Sequence, residues 1–279
     1  MANTILNRYE IKDLLGRSGL SVIYRAFDYH SGHDVALKTV SSLSDRTHSI
    51  FRNEWQTLKR LHHHNVINVY DFGEFKRDGE TFPFITMPLL RGHTLDQLIG
   101  TAGKVLDLTT VVDVISQVCQ GLQYTHEQGI VHRNIKPSHI FVTEEKIAKL
   151  IGFGLARDLN NKREKSPLQA GMIIGTLLYM APEQIQGLAA TAASDIFCLG
   201  AVCYEALSGR RPFDGPSLPA TLLAIAQEDP TPLVSIKPDL CDGFSLAVQK
   251  ALAKRVADRY SSAEEFGAAM RRAVVGTNS

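Results

Sequence analysis

The side chains best able to do chemistry fall in a few short runs. His132-Arg133-Asn134-Ile135-Lys136-Pro137-Ser138-His139 gathers two imidazoles, two cations and a carboxamide. An amide such as Asn134 can hydrogen-bond a hydroxyl but is no base near neutral pH. In Gly152-Phe153-Gly154 the first residue has no side chain to offer a ligand at all. Leu15 to Tyr24 carries Gly16, Ser18, Gly19 and Ser21, small residues that let backbone N–H groups approach an anion closely. A tight hairpin with no ligand has the same composition. Lys38 closes Val35-Ala36-Leu37-Lys38 on a predicted strand, and Glu54 lies in the helix that follows. On a surface such a pair contributes only about 0–1 kcal/mol. His62, His63 and His64 are adjacent, so their side chains diverge; they mark a turn rather than a metal site.

Positioning these groups requires two kinds of structure. Tyr9 to Gly16, Val22 to Asp28 and His33 to Val40 read as strands, with Val66 to Phe75 and Thr81 to Met87 joined by the turn Arg77-Asp78-Gly79. Phe51, Trp55 and Leu58 share one face of a helix over about 49–61. After Pro88 the pattern is helical: Leu108 to Gln128 stopped by Gly129, Ser194 to Ser208 apolar nearly all round, then Leu218 to Gln227, Phe244 to Ala253 and Ala263 to Ala273. A strand-rich part followed by a helix-rich part is an α+β arrangement. The polar stretch from Asn160 to Gly171 has no periodicity and reads as a loop.

The chain has 279 residues and a formal net charge of +1, enough for two closely packed lobes and no reason to seek nucleic acid. No apolar run reaches the 18 residues a membrane span needs. Four cysteines without a C-x-x-C pair suit a reducing, cytoplasmic setting.

Taken in order, these runs resemble the motifs of the eukaryotic-like Ser/Thr protein kinases, bacterial branch, over about residues 9–273. Gly175-Thr176-Leu177-Leu178-Tyr179-Met180-Ala181-Pro182-Glu183 resembles the end of an activation segment, and Asp258-Arg259-Tyr260 precedes the last helix. The resemblance implies a bilobal fold, with a β-rich N-lobe over residues 1–87 and a helical C-lobe over 88–279. It implies a nucleotide site of Leu15, Gly16, Ser18, Gly19, Ile23, Ala36, Lys38, Glu54, Met87, Pro88, Leu90, Lys136 and Phe141. Pro88 would offer adenine its carbonyl and Leu90 its N–H. Structural roles would fall to Arg259 pairing with Glu183, to Asp195 at the start of the central helix, and to His132 and Phe153 stacked with Leu58 and Val69.

Departures from the family pattern concentrate on chemistry. Asn134 stands where the family keeps its base, and His139 and Gly152 stand where it keeps magnesium ligands. The loop lacks the threonine pair of bacterial relatives, with Leu168 and Ala170 there instead, and Ser166-Pro167 is an ordinary solvated loop serine or a target for another kinase. The expectation drawn from this is a non-catalytic pseudokinase that binds a protein partner as a scaffold or allosteric module. ATP would be an optional ligand held without metal, and no magnesium site is expected. The competing readings are an atypical phosphotransferase or nucleotidyltransferase using ATP, a structural relic without nucleotide, and an engineered inactive chain.

Overall fold

The computed structural model describes residues 4–18, 20–100, 105–160 and 177–275. Gly19, Ser166, Pro167, Leu168, Ala170, Gly175 and Thr176, all singled out above, lie outside the described residues. The chain divides into two compact units, Met1–Arg91 with Phe153–Leu155, and Gly92–Gly152 with Ala156–Ser279. The division falls after Arg91 rather than before Pro88, and Phe153–Leu155 joins the first unit. The mixed fold, a sheet-built first unit and a helical second one, is the expected α+β class.

In the first unit, strands β1 (Thr4–Ile5), β2 (Tyr9–Arg17), β3 (Ser21–Asp28), β4 (His33–Val40), β5 (Asp71–Arg77) and β6 (Glu80–Pro88) form one antiparallel sheet in the order β1-β2-β3-β4-β6-β5. Alternation buries Tyr9, Ala26, Val35, Leu37 and Phe84 together. Helix α1 (Asp45–Leu58) packs Phe51 with Val40 and Ile85, a burial worth about 1.5–3 kcal/mol for the phenylalanine. The helix begins four residues before the expected start. Ser44 caps it: its Oγ accepts from the Thr47 N–H at 3.1 Å while Thr47 Oγ1 accepts from the Ser44 N–H at 3.0 Å. Residues 67–70 are not strand and Val66 makes only an isolated bridge; Val66 and Ile67 are buried, and the ladder starts at Asp71.

The second unit centres on a buried helix, Ala192–Ser208. Its elements are β7 (Gly92–Thr94), α2 (Leu95–Ile99), α3 (Leu108–Glu127), β8 (Ile130–Val131), β9 (Ile140–Thr143), β10 (Ala148–Leu150), β11 (Arg157–Asp158), α4 (Pro182–Ile185), α5 (Ala192–Ser208), α6 (Leu218–Gln227), α7 (Leu233–Ile236), α8 (Asp242–Ala251) and α9 (Ala263–Val275). Strands pair as β10-β9-β7 and β11-β8. Helix α5 is apolar around its circumference because α3, α8 and α9 all pack against it. Gly209, at φ 70°, ends it in the left-handed conformation.

Candidate functional site

Within the first unit, the sheet register sets Lys38 between Ile23 on β3 and Ile85 on β6. Thr47, Phe51, Glu54 and Leu58 recur every three or four residues, so Glu54 lies on the buried face of α1. The structure brings the two charges together: Lys38 Nζ donates to Glu54 Oε1 at 2.8 Å and Oε2 at 2.6 Å. The side chains are 16% and 4% exposed, so each charge depends on the other. The Lys38 ammonium also lies 5.4 Å from the Phe51 ring centre.

Ala36 pairs with Met87, and Val35 with Pro88, on adjoining strands. Ala36 is buried; Ile23, Met87, Pro88 and Leu90 are half-buried, and Leu15 is exposed. A Cβ built on Gly16 meets nothing within 4 Å. The β2–β3 turn is closed by two serines. Ser18 and Ser21 hydroxyls lie 2.8 Å apart, the Ser18 N–H donates to Ser21 O at 2.8 Å, and the Ser21 N–H donates to Ser18 Oγ at 3.2 Å. Two amides of this turn are thus bonded internally. Phe153 is fully buried, and Asn53 Nδ2 donates to the Gly154 carbonyl at 3.0 Å, tying the 3-10 turn Phe153–Leu155 to α1.

In the second unit, Asp195 is completely buried at the first turn of α5. Its carboxylate accepts the His132 N–H at 2.8 Å, the Arg133 N–H at 2.7 Å and His126 Nε2 at 2.8 Å. Charge-assisted bonds of this kind are the strong ones. They hold Arg133 at φ 64°, an uncommon conformation for a side-chain-bearing residue. Gln184 Nε2 donates to the Arg133 carbonyl at 3.0 Å. His126 and Gln184 went unnoticed in the sequence, because they act on a buried carboxylate and a backbone carbonyl rather than within a motif.

The loop so held carries Asn134, whose Oδ1 is buried and, among the described residues, without a hydrogen-bond partner. Lys136 is half-buried, and burial lowers its pKa while Asp96 opposes this. Phe141 lies on β9 opposite Thr94 and Lys149. Behind the loop, Arg259 makes a two-pronged pair with Glu183, 2.7 and 2.8 Å, and Ser194 Oγ donates to the same carboxylate at 2.6 Å. Burial alone would raise the Glu183 pKa, but these bonds outweigh it and hold the carboxyl below its ordinary value.

Positions 139 and 152 supply no oxygen ligand from their side chains. His139 Nδ1 lies 2.8 Å from the Asn134 carbonyl, and a Cβ at Gly152 would stand 2.8 Å from three atoms of the His139 ring. Among the described residues, no group of three or more His, Cys, Asp or Glu is placed to hold a metal. A carboxylate-held magnesium does not fit these two positions as they stand.

The protein kinase domain model matches residues 9–266. A probable serine/threonine-protein kinase PknB of Corynebacterium glutamicum is 34% identical over 98% of this chain and 43% of its own length. The serine/threonine-protein kinases PknB of Mycolicibacterium smegmatis and Mycobacterium tuberculosis are each 35% identical over 95% of this chain and 43% of their own. The chain therefore spans less than half the length of these relatives. A crystal structure of the Mycobacterium tuberculosis PknI kinase domain, in a single-substitution mutant, superposes with a TM-score of 0.73 at 24% identity, covering 98% of both chains, and supports the fold.

These matches overturn the non-catalytic, scaffold-type expectation: chains 34–35% identical across nearly the whole of this one are named serine/threonine-protein kinases. The physical reason lies in magnitudes. Losing one acid–base group costs about 10²–10⁴ in rate, whereas enzymes accelerate reactions by about 10⁶–10¹⁷. Substituting such a group slows a kinase without removing the machinery around it. The expectation of ATP held without metal, with no magnesium site, falls as well. Protein kinases work on nucleotide with magnesium, and nothing in the matches supports a metal-independent route. Among the described residues, no helix is long and apolar enough to cross a membrane. From its motifs, its fold and the family model that matches it, the chain belongs to the protein kinase domain family.

Proposed function

We propose that this chain is the catalytic domain of a longer protein and transfers the γ-phosphoryl group of ATP to serine or threonine hydroxyls of protein substrates. The observation that carries this reading is the buried Lys38–Glu54 pair, closed through both carboxylate oxygens, which points a cation from β4 as phosphate binding requires. On the first unit, Ile23, Ala36 and Met87 receive adenine, with the Pro88 carbonyl and Leu90 N–H reading its edge. Leu15, Gly16 and Ser18 take the side toward the phosphates, and Lys38 neutralises them. In the second unit, Lys136 and Phe141 stand at the positions that the family uses for the transferred group and the base. Protein substrates are the partners, and a cytoplasmic site of action is part of the proposal.

Asn134 takes the place of the family's base by orienting rather than abstracting. Its Oδ1 is buried and, among the described residues, without a partner, so a turn of the carboxamide that exposes it would let it accept the O–H of the substrate and aim the oxygen at phosphorus. The new O–P bond forms as the bond to the bridging oxygen of ADP breaks. The hydroxyl proton leaves late, to a phosphoryl oxygen or to water, since an amide cannot keep it. Phosphoryl transfer asks mainly for positioning and charge neutralisation, so this substitution is tolerable. Magnesium bound with ATP would neutralise phosphate charge, and the side chains at 139 and 152 would offer it no carboxylate.

Incubation with ATP, magnesium or manganese and a Ser/Thr peptide mixture, followed by mass spectrometry, tests the reading. Phosphoserine or phosphothreonine that depends on Lys38 is expected. No product above the Lys38→Ala background with either metal would refute it.

A further inference from the structure

Four hydrogen bonds run in a closed circuit through the second unit. His139 Nδ1–H donates to the Asn134 carbonyl at 2.8 Å, and the Asn134 N–H donates to His132 Nδ1 at 3.3 Å. His132 Nε2–H donates to the Ile151 carbonyl at 3.0 Å, and the Ile151 N–H returns to the His139 carbonyl at 3.0 Å. Carbonyls only accept, so the circuit places a proton on Nδ1 of His139 and on Nε2 of His132. The rings lie 6.0 Å apart.

This anchoring fixes the His139 ring over the backbone of the next motif. A Cβ built on Gly152 would lie 2.8 Å from Cγ, Cδ2 and Cε1 of that ring, which places it over the ring face. Carbon atoms do not approach this closely without displacement. Gly152 also has φ +82°, a conformation glycine adopts at no steric cost.

We propose that His139 and Gly152 form an interlocked pair, in which the imidazole is a positioning residue that takes the volume a side chain at 152 would need. A carboxylate ligand can then be carried at 152 only when His139 is replaced as well. The two departures from the kinase pattern are one structural change. Histidine at 139 fits because 152 is bare, and 152 stays bare because the ring is held by Asn134.

A double-mutant cycle tests the interlock without reference to nucleotide. Gly152→Ala is made in the native chain and in His139→Ala, and melting temperatures are compared. Strain from the positive φ is common to both backgrounds and cancels. The loss caused by Gly152→Ala should be smaller by at least about 3 °C once the ring is gone. Equal losses would overturn the interlock, as would failure of Gly152→Ala to fold in both backgrounds; folding only in His139→Ala would support it. A second arm rests on the kinase reading and uses MnCl₂ with ADP. His139→Asn/Gly152→Asp should show a manganese-dependent rise in melting temperature that Gly152→Asp alone lacks. An equal rise in the single variant would overturn the interlock. No rise in either, with a positive cycle, would count against the nucleotide–metal reading and not against the interlock.

Discussion

Replacing Arg259 by methionine keeps length and removes every donor. The native guanidinium is buried against the Phe197 ring, 4.9 Å from its centre. Besides its two bonds to Glu183, it donates to the carbonyls of Ala253 at 2.7 Å, Ala193 at 3.0 Å and Lys254 at 3.0 Å. In the variant, Glu183 keeps the Ser194 bond and loses its counter-charge. Breaking one end of a buried pair costs about 3–5 kcal/mol, because the remaining charge stays desolvated. Carbonyls that water cannot reach add about 1–3 kcal/mol each. Against a total stability of about 5–15 kcal/mol this is a large fraction. The melting temperature should fall by about 6 °C or more.

The same change has a pH signature. The folded-state pKa of Glu183 is depressed, so its contribution to stability is present above the unfolded value and lost as pH falls through the folded one. In Arg259→Met the carboxyl protonates more readily, which relieves the buried charge in acid. Urea unfolding at pH 7 and near pH 4 should therefore show a destabilisation that shrinks toward acid. Glu183→Gln added to Arg259→Met should recover part of the loss. A penalty below about 1 kcal/mol at pH 7, or one equal at both pH values, would refute the reasoning.

Ser18→Ala removes the hydroxyl that accepts the Ser21 N–H, so hydrogen exchange at Ser21 should quicken; unchanged exchange would show that the serine clasp does not hold the turn. Lys254 lies 3.7 Å from the Phe213 ring centre and donates to Ile225 O at 2.8 Å, and burial lowers its pKa to about 8. Its NMR titration should centre near that value, and a midpoint in the ordinary lysine range would contradict it. Because a lysine is depressed here, its effect on stability turns more favourable as pH rises from the folded value toward about 10.4.

Strands β2 to β4 and helices α3, α5 and α6 were legible because long alternating or apolar runs carry their own signal. The start of α1 was not, since Ser44 and Thr47 cap the helix ahead of its first apolar residue. Strands of two to four residues such as β7, β8 and β10 hold too few residues for any period to show. Lys38 and Glu54 could be named from motif order alone, and their contact needed only a strand facing a helix. His126 and Gln184 could not, because their partners are a carboxylate far along the chain and a main-chain carbonyl. The contact between His139 and Gly152 was equally hidden, since it depends on a positive φ and a ring direction. The non-catalytic expectation treated three side chains as the whole of catalysis.

Initial rates of γ-phosphoryl transfer from ATP to a Ser/Thr peptide, for the native chain beside Lys38→Ala and Asn134→Asp, test the central claim most directly. The native chain should exceed Lys38→Ala, and Asn134→Asp should exceed the native chain by about 10²-fold as a positioned base is restored. Transfer by neither the native chain nor Asn134→Asp, in folded protein that binds ATP, would contradict the assignment of this site to phosphotransfer.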